Sequence, residues 1–78
     1  MARLRLFGPA REAAGTADIE VPGPNVGEII AVAEAKFGER FTEVVATSNI
    51  WLNGEPVELD ALVSDGDEVA VIPPVSGG

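Results

Sequence analysis

The chain has 78 residues, 46% of them apolar, with a formal net charge of −8 and a sequence pI of about 4.1. At this length folding buries only about 60% of the extended chain's surface, which suits one domain with a thin core and little room for an enclosed catalytic pocket. It has no cysteine, no histidine and a single lysine, Lys36, which excludes disulfides, thiolate chemistry and the usual zinc ligands and leaves a self-contained enzyme few groups to work with.

The elements follow in chain order. Leu4 and Leu6 alternate with Arg3, Arg5 and Phe7, the period of a half-buried strand. This apolar run is too short for a signal peptide, and no stretch reaches the roughly 20 apolar residues of a membrane helix. A cytoplasmic protein is expected. The acidic balance disfavours nucleic acid and anionic membranes as partners.

Pro9 and Gly15 bracket Ala10–Ala14, as proline at the start and glycine past the end of a short helix. Asp18–Val21 alternates again, giving a second strand and an antiparallel hairpin with the first. Asn25 caps the clearest helix, with Glu28 three residues on. Val26, Ile29, Ile30, Ala33 and Phe37 then form one apolar stripe, and Gly38 is expected to close the helix in a left-handed conformation. No element is assigned to the segment from Gly38 to Asn49.

Ile50–Val57 contains Asn53-Gly54, a type I′ hairpin turn, because both central positions tolerate positive φ. Pro56 confines the return strand to an edge or keeps it very short. Asp65-Gly66-Asp67 is a further turn, which accounts for the acidic cluster there without a metal; no metal site is expected. Glu68–Ile72 is almost continuously apolar and belongs in the middle of the sheet. Two strands, a crossover helix and further strands on one mixed sheet make an α+β, ubiquitin-like β-grasp, with helix on one face and the other face open. Residues 1–72 form this domain, and 73–78 a projecting tail. By alternation Phe7 and Trp51 project onto the open face, as candidate contacts for a partner.

The tail reads Pro73-Pro74-Val75-Ser76-Gly77-Gly78. The prolines stop the ladder and stiffen the exit, and six residues span about 20 Å when extended. Gly77 and Gly78 lack Cβ atoms and can thread a narrow channel in another protein. The Gly78 carboxylate is the candidate reactive group. Ionised at neutral pH, it is a poor electrophile until activated, and the chain has no GxxxxGK[ST] phosphate loop to do so itself.

Leu6-Phe7-Gly8, Arg11-Glu12, Gly15, Asn53-Gly54 and the run from Asp65 through Gly78 resemble the MoaD family, the small subunit of molybdopterin synthase. That family stands within the MoaD/ThiS group of ubiquitin-like sulfur carriers. The resemblance implies that a ubiquitin-activating-type adenylyltransferase uses ATP and Mg²⁺ to adenylate Gly78, and that a sulfur donor enzyme then converts it to a thiocarboxylate. The tail (Pro73, Pro74, Val75, Ser76, Gly77) would insert into the large subunit of a heterotetramer and deliver sulfur to cyclic pyranopterin monophosphate. Catalysis would belong to the large subunit, and this chain would bind no cofactor. Arg11 matches a family position and is either a partner contact or a solvated arginine. Alternatives from the same chemistry are a carrier for thiazole, cysteine or tRNA thiolation and a protein modifier. A plain interaction module, with the Gly-Gly pair incidental, is a third.

Overall fold

A computed structural model describes residues 1–74. Its elements are β1 (Ala2–Leu6), α1 (Pro9–Ala14), β2 (Asp18–Val21), α2 (Val26–Phe37), α3 (Glu39–Ala46), β3 (Asn49–Leu52), β4 (Glu55–Pro56) and β5 (Glu68–Ile72). The five strands form one mixed sheet in the order β2-β1-β5-β3-β4. β1 and β2 are an antiparallel hairpin, with Leu4 opposite Ile19; β5 enters between β1 and β3, parallel to the first and antiparallel to the second. This is the expected β-grasp.

The period-two pattern of β1 decides which side is covered. Leu4 and Leu6 are fully buried while Arg3 and Arg5 are exposed. Across the sheet Leu4 aligns with Val69 and Leu6 with Val71, so one face supplies the floor of the core. The apolar stripe of α2 lies over it, with Val26, Ile29, Ile30 and Ala33 buried. Its start is fixed as expected: the Glu28 N–H donates to Asn25 Oδ1 at 2.8 Å, satisfying one of the first-turn donors.

Two features depart from the sequence reading. Gly38 has φ 95° and ψ −171°, positive in φ but far from the left-handed helical region. It ends α2 by donating its N–H to Glu34 O, and its own carbonyl then accepts from the Thr42 N–H. One extended residue thus turns the chain from one helix directly into the next. The second departure is α3 itself, in the unassigned segment. It inserts between α1 and α2, burying Phe41 completely against Phe37 at a centroid distance of 5.1 Å.

The expected I′ geometry appears at the β3–β4 turn, with φ of 49° at Asn53 and 85° at Gly54. β4 is two residues long and lies at the edge. The turn closes on Leu52 and Glu55, so the next pair, Trp51 and Pro56, falls at a position that exchanges no ladder bonds. Proline's missing N–H therefore costs the sheet nothing there. The ladder resumes where the Val57 N–H donates to Ile50 O.

Candidate functional site: the tail root and the open sheet face

β5 carries the chain through the middle of the sheet and releases it at Ile72, beside the corner where β1 turns into α1. The Phe7 N–H donates to Val71 O at 3.2 Å, keeping that corner against the strand end. Gly8 follows with φ 54° and ψ −129°, a conformation that L side chains rarely adopt. A Cβ at Gly8 would stand 3.2 Å from Pro73 Cγ, tighter than most real contacts. Pro73 is thus seated on the bare backbone of Gly8, and Pro74 beyond it is exposed. Val75, Ser76, Gly77 and Gly78, the remaining tail residues singled out above, lie outside the described residues.

Beside this root is the face without helices. Pairing aligns Asp18, Arg5, Ala70, Trp51 and Pro56 in one row across it. Ala70 is only 8% exposed although it belongs to the open side, because the longer Arg5 and Trp51 side chains flank it. The Arg5 guanidinium carbon lies 5.6 Å from the Phe7 ring centroid, and its Nη1 is 3.6 Å from Glu68 Oε1. Arg3 donates to Asp18 Oδ1 at 2.8 Å. Phe7 is 39% exposed and Trp51 is half-buried. Phe7 thus lies at the tail root, and Trp51 stands across β5 from Arg5. Arg11 is exposed on α1, outside the ion pairs of the described residues. Sequence reasoning gave Gly8 and Arg5 no role of their own. Gly8-Pro9 directly after a strand was a turn signal, but only the fold brings Pro73 onto it.

The acidic turn before β5 is held by local bonds. The Met1 amine lies 2.6 Å from Asp65 Oδ1, and this bond, with the amine's charge, pulls the Asp65 carboxyl below the usual carboxylate range. Asp67 Oδ2 accepts from the Ser64 N–H at 2.8 Å. That bond, with the Asn53 side chain, likewise lowers the Asp67 carboxyl. The Asn53 Oδ1 accepts from the Glu68 N–H, linking this turn to the I′ turn. Among the described residues no three acidic side chains converge as metal ligands, and no helix is long and apolar enough to cross a membrane.

Residues 4–78 match the sequence model of the ThiS family. The chain belongs to the ThiS family. Its members are ubiquitin-like sulfur carriers, and solved structures with the same fold carry several descriptions. A putative molybdopterin converting factor subunit 1 from Pyrococcus furiosus is 34% identical, with 95% of this chain and 97% of that one covered and a TM-score of 0.80. The small archaeal modifier protein 1 of Methanosarcina acetivorans is 28% identical, covering 99% and 95%, at a TM-score of 0.88. A complex of subunits 1 and 2 of the molybdopterin-converting factor from Helicobacter pylori includes a chain 27% identical, covering 99% and 97%, at a TM-score of 0.75. For a ThiS-family chain the tail root and the open face are the surfaces to consider first, since one leads to the terminal glycines and the other presents apolar area beside them.

Proposed function

We propose that this chain is the small, sulfur-carrying subunit of a molybdopterin synthase and acts in the cytoplasm. The observation that carries the reading is the extent of the family match, which runs through Gly77 and Gly78. A partner with ATP and Mg²⁺ adenylates the Gly78 carboxylate, releasing pyrophosphate. The outer sulfur of a persulfide on the sulfur donor enzyme attacks the acyl-adenylate and displaces AMP. A second thiol of that enzyme then cleaves the resulting acyl disulfide, leaving the thiocarboxylate on Gly78 and a disulfide on the donor. The large subunit receives the tail and catalyses sulfur delivery to cyclic pyranopterin monophosphate. Pro73 on Gly8 gives the tail a fixed starting point, and Phe7, Trp51 and Arg11 are proposed to meet the partners.

A second reading, a modifier joined through the same carboxyl group to amines of other proteins, is favoured by the likeness to small archaeal modifier protein 1. The two separate on intact mass. Incubation with ATP, Mg²⁺, an activating enzyme and a sulfur donor is expected to add the mass difference between sulfur and oxygen, on Gly78 alone. The thiocarboxylated chain with a large subunit is then expected to convert the cyclic pterin. Conjugates that survive denaturing gels, without pterin conversion, establish the modifier instead. No mass change beside a competent enzyme overturns both.

A further inference from the structure

On the helix side of β3 a second surface stands apart from the tail root. One cavity of 420 Å³ opens between α2, α3 and the segment that follows β4, and a second of 480 Å³ lies against the edge of β3. They share Ser48, Ile50 and Leu59 and so form one trough. Its floor is apolar: Ile30, Val45 and Ile50, with Leu59 at the lip. Leu59 is 55% exposed, an apolar side chain with nothing over it.

The wall is held in place. The Gly27 N–H donates to Leu59 O at 2.8 Å and the Val57 N–H to Ile50 O at 3.2 Å, fixing the strap at both ends. A Cβ at Gly27 would stand 3.2 Å from that same Leu59 oxygen, so the missing side chain is what allows the close approach. A groove pinned in this way is formed before any ligand arrives.

Its charge is one-sided. Glu34 lines the inner part and Glu58 the edge, with Asp60 in an adjoining hollow. None of the chain's five basic residues lines the trough. None of the ion pairs among the described residues uses these three carboxylates. Arg3 and Arg5 sit instead on the opposite, open face. A rim of uncompensated carboxylates around an apolar floor favours a cation that also carries an aliphatic group, and penalises an acidic one.

We propose that this trough is a docking site for a basic protein segment, with lysine or arginine flanking an aliphatic anchor that seats between Val45, Ile50 and Leu59. It meets the open face only along the β3–β4 edge, at Asn49, Trp51 and Pro56, so a partner held here leaves the tail root accessible. The proposal stands independently of the sulfur-carrier reading. The test uses the full chain labelled with ¹⁵N and a capped peptide of alternating lysine and leucine. Two further peptides replace leucine by glycine, or lysine by glutamate. Saturable amide shifts are expected at Val45, Ser48, Ile50 and Leu59 with the lysine–leucine peptide alone. Glu34→Lys with Glu58→Lys, and separately Leu59→Ser, are each expected to weaken binding about tenfold or more, while Phe7→Ala leaves it unchanged. The proposal is overturned if the glycine peptide binds as tightly, if the shifts fall on the open face, or if well-dispersed variants bind as the parent does. Should a variant lose amide dispersion, the comparison among the three peptides on the parent chain decides alone.

Discussion

Pro73 rests on Gly8, close enough that even a methyl group between them would crowd it. The first residue after the last strand is thereby tied to the second residue after the first strand. These two are 65 positions apart in sequence (73 − 8) and adjacent in space only because β1 and β5 pair in parallel.

Gly8→Ala tests this seat. The substitution meets a positive φ and a crowded Cβ together, and is expected to destabilise the fold by about 1–3 kcal/mol. Urea unfolding measures this. Because the tail root must shift to admit the methyl, the rate of Gly78 adenylation is expected to fall further than the folded fraction does. Equal falls would show that the seat matters for folding alone.

Phe41→Ala probes the helix that bridges α1 and α2. Phe41 is fully buried and large, so truncation is expected to cost about 3–5 kcal/mol. In a domain of this size that removes much of the stability, visible as a large drop in the thermal midpoint.

Acid dependence follows from the turn before β5. The Asp67 carboxyl is lowered in the folded chain, first by the Ser64 N–H and then by the Asn53 side chain. A carboxyl lowered on folding adds stability above its unfolded value, near 3.8, and loses it as pH falls through the folded value. Asp67→Asn is therefore expected to melt below the parent at neutral pH, with the gap closing once pH drops under 3.8. A gap that widens in acid would reverse the assignment.

Phe7→Ala separates recognition from folding. The ring is 39% exposed and sits outside the core, so stability is expected to change by less than about 1 kcal/mol. Affinity for the activating enzyme or the large subunit is expected to fall about tenfold or more, measured by calorimetry. Unchanged affinity for both would remove Phe7 from the interface.

Much of the fold was legible because local signals agreed with the tertiary outcome. The α2 stripe, the Asn25 cap, the Asn53-Gly54 turn and the apolar run of β5 each needed only neighbouring residues to be read. α3 escaped because its apolar positions, Phe41, Val44 and Val45, make one turn of periodicity in a helix of eight residues. It has no side-chain cap, and β-branched residues weaken its intrinsic preference. Glycine after a helix usually marks its end, whereas Gly38 is a joint between two helices. The placement of Phe7 and Trp51 followed from alternation. The contact of Pro73 with Gly8 did not, since it depends on which strands pair.

The proline in β4 has a consequence for the molecule among its copies. Its nitrogen faces outward from the sheet, where an added strand would look for a donor and find none. β4 is also only two residues long, and its other residue is Glu55. The opposite border, β2, carries Asp18 and Glu20, which would stand against the same charges of a second copy. Both borders thus resist growth of the sheet from chain to chain. The molecule is thereby kept from adhering to copies of itself along its edges.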